Sequence, residues 1–459
     1  MDKADLFEKS QPEGILAHPP MGWNSWDCYG SSITEAEFMQ NAAFMAEHLL
    51  AYGWNYAVVD IQWYQATAEG WEYKPFADLC LNEYGLPQPA VNRFPSAAGG
   101  KGFKPLADRV HALGLKFGLH IMRGIPRQAV SQDLPVAGTD GIRARQIADF
   151  ASVCRWNPDM YGLKMEADGA QAWYDALYRQ FADWGVDFVK VDDCAWNFVA
   201  PEHYPAAEVE AIARAIKNSG RDMVLSLSPG PAVFEKREHL TRFAHMWRMT
   251  DDFWDRWDLL LQDLERCREW QAVVGPGCWP DADMLPLGRL NMRDHQGQGR
   301  RSAFTEAEQQ TLMNLWCLFR SPLMYGGDLP RATRQDIRLL QNRELLAVSQ
   351  QGGWPRDCQA SEPGLSAWTQ LDCQAGQPQP FLFINTTDQP LLLSLDFSRQ
   401  DRAWGRAVKA AAAGSATGGT CRWHEVWQEQ EALQINEASH SQFTLAPHAS
   451  RLYLLEKPE

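Results

Sequence analysis

The chain has 459 residues, 45% of them apolar and 22% charged, and its 43 Lys+Arg against 58 Asp+Glu give a formal net charge of −15. This composition excludes wholesale disorder and supplies enough material for a (β/α)8 barrel, which takes ~250 residues as one unit, with a second domain beside it. An acidic surface repels phosphate backbones and anionic lipids, so no nucleic-acid and no membrane partner is expected, and no apolar run reaches the ~18–20 residues that cross a bilayer.

The start, MDKADLFEKSQPEG, lacks the apolar stretch of a secretory signal. The ten cysteines are scattered without a CxxC pair. They read as free thiols in a reducing, cytoplasmic setting rather than as a disulfide framework. Twenty tryptophans stand out. Trp23, Trp26, Trp63, Trp254, Trp257 and Trp279 have polar, loop-like neighbours, and flat indole faces suit sugar rings as well as cores.

Along the chain, Thr34 and Glu37 form a capping box that opens a helix stopping at Gly53. Short apolar runs then alternate with amphipathic segments. Asn55–Ile61, Leu115–Ile121, Val186–Asp192, Asp222–Ser228 and Ala244–Thr250 read as buried parallel strands, with Gly114 and Gly185 as helix stops just ahead of two of them. Thr305 and Glu308 open another helix. Repeated βα units over this length predict a (β/α)8 barrel within residues 1–335, including a short N-terminal extension. Near Leu340 the texture changes. Leu365–Leu371, Pro380–Asn385, Leu391–Phe397, Arg422–Trp427 and Ser450–Leu455 alternate in the manner of antiparallel strands, predicting a C-terminal β-sandwich over 336–459. Lys409–Thr420 is low-complexity and is expected to be a surface loop.

In such a barrel the reactive groups sit at the C-terminal ends of the strands. The second strand ends in Asp60, Ile61, Gln62 and Trp63, the third in His120 and Arg123, the fourth in Lys190, Asp192 and Asp193. The fifth ends in Ser226 and Ser228, the sixth in Arg248, Asp251 and Asp252, and Asp281 and Asp283 follow. One mouth thus collects carboxylates, cations and indoles. Divalent-metal hydrolysis and glycosidic cleavage both call for such a pocket. None of the 11 histidines is paired at ligand spacing, and no GxGxxG or P-loop follows a strand, so neither a metal nor a cofactor is expected. Glycosidic cleavage needs two carboxyl groups flanking the bond, further acceptors for hydroxyls, and aromatic faces for the ring. That combination is present, and a carbohydrate is the expected partner. A homo-oligomer is compatible with the composition.

The stretches PPMGWNSWDCYG (Pro19–Gly30), VVDIQW (Val58–Trp63), VKVDDC (Val189–Cys194), WRMTDDFWDRW (Trp247–Trp257), GPGCWPDADML (Gly275–Leu285) and RSPLMYGGDLP (Arg320–Pro330) resemble, in order and spacing, glycoside hydrolase family 27. This is the family of α-galactosidases and α-N-acetylgalactosaminidases, and the chain is similar to a divergent bacterial-type member. LAPHAS (Leu445–Ser450) resembles the family's C-terminal β domain. The resemblance implies a retaining exo-glycosidase working by double displacement. Asp192 matches the nucleophile and Asp252 the general acid/base, with Asp193 and Asp251 as rivals. Lys190 should keep Asp192 ionised, and Asp252 should have a raised pKa. Because neighbouring side chains in a strand alternate faces, one member of each aspartate pair should turn away. Trp26 matches a wall of the sugar site, Asp60 an acceptor for outer hydroxyls, Arg248 a cation near the 2-position and Asp283 a further sugar-contacting carboxylate. Ile61, Trp63, His120, Lys190 and Ser228 complete the expected substrate-binding set.

Three departures from the family pattern bear on the sugar. Ile61 stands where a second aspartate is usual, His120 stands where a tyrosine is usual, and the fifth strand reads LSLSPGPA (Leu225–Ala232), with Ser228 at the position that reads the 2-substituent. A lost acceptor for a buried hydroxyl costs ~1.5–3 kcal/mol, enough to retune specificity without touching the catalytic pair. Terminal α-D-galactosyl residues are the expected substrate. β-L-Arabinopyranosides, α-N-acetylgalactosaminides and α-glucosidic linkages are the alternatives, and a catalytically inactive sugar-binding module is the remote one.

Overall fold

A computed structural model describes residues 16–195, 204–294, 296–360, 362–374, 377–413, 420–428 and 432–456. Eight parallel strands follow one another with helices between them: β1 (Met21–Asn24), β2 (Tyr56–Val59), β3 (Lys116–Met122), β4 (Phe188–Asp192), β5 (Val224–Leu227), β6 (Met246–Arg248), β7 (Trp279–Asp281) and β8 (Leu323–Tyr325). From β1 to β7 each strand pairs with its sequence neighbour, and β1 also pairs with β8 through Met21↔Leu323 to Trp23↔Tyr325. A parallel bridge from Leu285, just past β7, to Tyr325 of β8 closes the ring. The strands are buried almost throughout, as strands covered on both faces must be, which is why they read as apolar runs.

The helix α1 (Glu35–His48) begins with the expected reciprocal cap: Glu37 N donates to Thr34 Oγ1, and Thr34 N donates to Glu37 at 2.9 Å. Gly114 and Gly185 adopt the left-handed conformation, at φ 78° and 85°, where helices hand over to β3 and β4. The helices α2 (Lys104–Ala112), α3 (Ala170–Trp184), α4 (Ala206–Ser219), α5 (Arg237–Phe243), α6 (Trp257–Trp270) and α7 (Glu306–Phe319) complete the layer, with α8 (Arg334–Leu340) and α9 (Arg343–Gln351) after β8. An antiparallel sheet of Ile125–Pro126, Ala148–Val153 and Met160–Leu163 is inserted after β3, where no periodic signal announces it.

The C-terminal region builds a six-stranded antiparallel sheet from β9 (Trp354–Asp357), β10 (Leu365–Leu371), β11 (Gln379–Asn385), β13 (Cys421–Glu425), β14 (Leu433–Ile435) and β16 (Ser450–Glu456). It is faced by the pair β12 (Leu391–Asp396) and β15 (His440–Leu445). Strand alternation divides two cores. Leu382, Ile384, Leu452 and Leu454 join the core of the barrel, while Phe381, Phe383, Tyr453 and Leu455 pack with Leu393, Phe397, Trp404 and Phe443 in a second one. The segment expected as a loop at Lys409–Thr420 is corrected in part. Ala403–Ala413 is helical, because an alanine run has the highest helix propensity. Residues 414–419 lie outside the described residues. None of the ten cysteines is in a disulfide, and seven of them are buried. Among the described residues no helix is long and apolar enough to cross a membrane.

Candidate active site

A cavity of about 640 Å³ opens where the barrel strands end. Strand β2 delivers Asp60 and Ile61 to it. Asp60 is buried and accepts from Asn24 Nδ2 at 2.8 Å and from Lys190 Nζ at 3.0 Å. Burial alone would raise its pKa, but the Lys190 ammonium and then His120 outweigh that and hold it below the usual carboxylate range. Ile61 lines the same cavity with an apolar side chain.

From β4, Lys190 and Asp192 face the cavity. His120 Nε2 lies 2.7 Å from Asp192 Oδ2 and must donate, since a carboxylate only accepts. Asp192 Oδ1 is buried without a hydrogen-bond partner among the described residues. Burial opposes ionisation of Asp192, yet His120, Lys190 and the Ser228 hydroxyl together hold its pKa well below the ordinary value. The imidazole is a larger influence than the lysine expected from sequence. Asp193 turns away for a reason other than alternation, since β4 stops at Asp192. It takes φ +63° and turns to Arg123, whose guanidinium also pairs with Glu208, so neither Asp193 nor Arg123 lines the cavity.

Beyond β6, Arg248 spans two carboxylates, with Nη2 donating to Asp252 at 2.9 Å and Nη1 3.0 Å from Asp283. Asp283 is fixed by accepting from Phe253 N at 2.8 Å. Burial raises its pKa more than Arg248 lowers it. Asp252 is 59% exposed at its side chain, facing the mouth. Here the alternation argument fails. The strand stops at Arg248, so Asp251 is not on its opposite face; it too lines the cavity, accepting from Asp252 N at 2.8 Å. Ser228, after β5, also lines the cavity, its N–H bonded to Val191 O at 2.9 Å.

Two expected contacts are corrected. Trp63 lies away from the cavity with no exposure, wedged among Tyr64, Phe103 and Trp184, and its Nε1 donates to the His120 carbonyl at 2.6 Å. It supports the backbone of His120 from behind. His120 is likewise fully buried and stands behind Asp192 rather than on the cavity wall. Of the other indoles read as sugar faces, Trp23 and Trp279 are core, Trp257 stacks on His448, and Trp26 and Trp254 reach the cavity. Sequence reasoning missed Asp27, Trp71, Glu72, Tyr73 and Trp156, which also line it. Asp27 lies within the stretch Pro19–Gly30, and the aromatic spacing of Trp71 and Tyr73 in a loop after β2 is a legible signal. Trp156 sits beside the inserted sheet and carried none. Asp27 is buried, its Oδ2 unpartnered among the described residues, and burial and then Asp283 push its pKa well up.

A model of the family described as "Alpha galactosidase A" matches residues 159–351. A GH27 β-L-arabinopyranosidase from Geobacillus stearothermophilus is 46% identical and superposes with a TM-score of 0.87 over 97% of each chain. The chain belongs to glycoside hydrolase family 27. A candidate α-N-acetylgalactosaminidase from Bacillus halodurans is 44% identical, with a TM-score of 0.82 over 97% of this chain and all of that one. Alpha-galactosidase 2 of Arabidopsis thaliana is 27% identical across 73% of this chain and 68% of its own. As a family 27 protein the chain is a glycoside hydrolase with a (β/α)8 barrel and a C-terminal β domain, and its substrates are carbohydrates. Among the described residues no cluster of three or more His, Cys, Asp or Glu could hold a metal ion.

Proposed function

We propose that the protein is a retaining exo-glycosidase that removes terminal β-L-arabinopyranosyl residues. Asp192 acts as nucleophile and Asp252 as acid/base. Asp192 Oδ1, the oxygen without a partner, attacks the anomeric carbon as the glycosidic C–O bond breaks. Asp252 gives its proton to the departing oxygen. A water that returns a proton to Asp252 then displaces Asp192, and two inversions leave the configuration unchanged. His120 and Lys190 keep Asp192 ionised for the first step.

The observation that carries the choice of sugar is Ile61 on the cavity wall beside the Asp60–Lys190 pair. β-L-Arabinopyranose and α-D-galactopyranose share ring stereochemistry and differ by the hydroxymethyl group at C5. Asp60 and Lys190 suit the ring hydroxyls common to both. Ile61 offers methyl groups where a hydroxymethyl would need an acceptor, so its hydroxyl would be desolvated without compensation. The 46% identity to an arabinopyranosidase supports the same reading. The second reading, an α-D-galactosidase, is favoured by Asp60 and by the activity of the curated relatives at 26–28% identity.

The test is kcat/KM on p-nitrophenyl β-L-arabinopyranoside, α-D-galactoside, α-N-acetylgalactosaminide and α-D-glucoside. The arabinopyranoside is expected to lead, and Asp192→Ala to lose about 10³-fold or more. Preference for the galactoside by the wild type would overturn the assignment of the sugar.

A further inference from the structure

Trp26, the expected wall of the sugar site, continues on both sides into four further aromatic rings that form one edge of the cavity. Trp254, two residues after Asp252, has its ring centroid 5.6 Å from Trp71, and Trp71 is 4.6 Å from Trp26. Trp26 in turn lies 6.1 Å from Tyr73, and Tyr73 lies 5.3 Å from Trp156. All five line the cavity and each is only half-buried. Many other indoles of the chain, such as Trp23, Trp63 and Trp247, have no exposure at all. A fold that can bury its aromatics this thoroughly leaves a contiguous aromatic surface open at a cost in hydrophobic free energy, and such surfaces mark binding sites.

The rim is also held still. The segment carrying Trp71 and Tyr73 accepts from Ser31 N at the Trp71 carbonyl (2.9 Å) and from Ser31 Oγ at the Glu72 carbonyl (2.7 Å). Farther along, Lys74 N donates to Gln62 Oε1 at 3.2 Å and Phe76 N to Asp159 Oδ1 at 2.9 Å. Gly30, at φ +54°, runs so close beneath that a Cβ there would lie 2.0 Å from the Trp71 carbonyl oxygen. A backbone satisfied on both sides presents its rings with little ordering cost when a ligand arrives.

We propose that this rim is the leaving-group subsite, and that it binds an aglycone presenting the flat face of an uncharged ring, either a second pyranose or an aryl group, against Trp254 and Trp71. The inference rests on the reading of Asp252 as acid/base, since the departing oxygen must lie beside that carboxyl and Trp254 belongs to the same turn. Asp251 and Glu72 line the same cavity. They supply acceptors for hydroxyls of a sugar aglycone and repel an anionic one. At bond cleavage the aglycone oxygen takes the Asp252 proton and the ring leaves along the rim.

Glycosyl fluorides test this, because fluoride departs without occupying a ring-binding subsite and without a proton from the enzyme. Trp254→Ala and Trp71→Ala are measured on β-L-arabinopyranosyl fluoride and on aryl and disaccharide β-L-arabinopyranosides, with Phe150→Ala, an exposed ring outside the cavity, as the control. The ratio of kcat/KM on the ring-bearing substrates to that on the fluoride is expected to fall about threefold to tenfold in each tryptophan variant and to hold in the control. An unchanged ratio in both variants, or equal losses on both substrate types, would overturn the subsite. Wild-type turnover of α-D-galactosyl fluoride but not the arabinopyranosyl fluoride would overturn the sugar instead, and the same ratio on galactosides would then judge the rim. Inertness toward both fluorides would sink both readings.

Discussion

The two oxygens of Asp192 meet different surroundings, one bonded to His120 and the other bare, and this asymmetry predicts a pH response. The lowered pKa keeps the carboxyl ionised well below the usual range, so nucleophilic activity is present above that value and lost as pH falls through it. His120→Phe removes the largest of the favourable influences and should move the acid limb of kcat/KM upward by about a unit or more, with the profile measured down to the lowest pH at which the protein stays folded. An acid limb that stays in place would assign His120 to packing alone. Asp281 presents the opposite sign. Burial and then Asp283 raise its pKa to about 7. The folded state therefore binds a proton that the unfolded state has shed between about pH 4 and 7, and stability declines across that window as pH rises. Asp281→Asn can still accept from Asp283 N, a 3.0 Å bond in the native protein. It should raise stability on the order of 2 kcal/mol at about pH 8 and little at about pH 4, by denaturant titration at both. Residue identity at the strand ends made Asp60, Asp192 and Arg248 legible in the sequence. Which way an indole points was not, and Trp63 and Trp254 have equally polar sequence neighbours although one is core and the other rim.

Elements carry their own predictions. The cap of α7 is a reciprocal box in which Thr305 N donates to Glu308 at 2.8 Å and Glu308 N donates back to Thr305 Oγ1. Thr305→Ala should cost about 1 kcal/mol of stability by denaturant titration. Gly30→Ala reaches further, because strain at positive φ and the blocked approach to the Trp71 carbonyl act together. It should lower the Tm and also weaken turnover of ring-bearing substrates, by shifting the loop that carries two of the rim aromatics. The capped helices and five of the eight barrel strands, β2 to β6, were legible because their apolar periods and caps are local properties of the chain, whereas β1, β7 and β8 are three or four residues long and lie in no longer apolar run. The long connection after β2 and the inserted sheet after β3 were not. Their geometry is imposed by partners far off in sequence, such as Asp159 holding Phe76 and Ser31 holding Trp71. At β6, apolar pattern alone overran the strand end, and the face assigned to Asp251 went wrong with it.

At the scale of the molecule the barrel and the β domain share one core. Trp368, Leu382, Ile384, Trp427 and Leu452 are continuous with the barrel interior. Polar contacts cross the same boundary: Thr311 and Asn314 of α7 bond Ser450, Trp427 Nε1 donates to Asn314 at 2.8 Å, and His448 meets Glu308 at 2.7 Å. A chain cut after residue 335 would expose these groups together, and it should be recovered as aggregate, whereas the full chain should melt in a single calorimetric transition. A soluble, active fragment would show that the barrel stands alone. The two-part organisation was legible from the change of texture near Leu340, but the sharing of a core was not, since alternation in β11 and β16 gives no sign of which face meets the barrel.

Closure of the ring also has a consequence in time. Strand β1, which leads into Trp26, gains its second neighbour only when Leu323–Tyr325 of β8 is available. At a synthesis rate of ~5–20 residues per second, the roughly 300 residues between them take about 15–60 s to emerge. Through that interval the growing sheet is open at β1 as well as at its newest strand, and the sugar site lacks a fixed wall, so a nascent chain stalled before β8 on the ribosome would hold Asp60, Asp192 and Asp252 and still hydrolyse nothing.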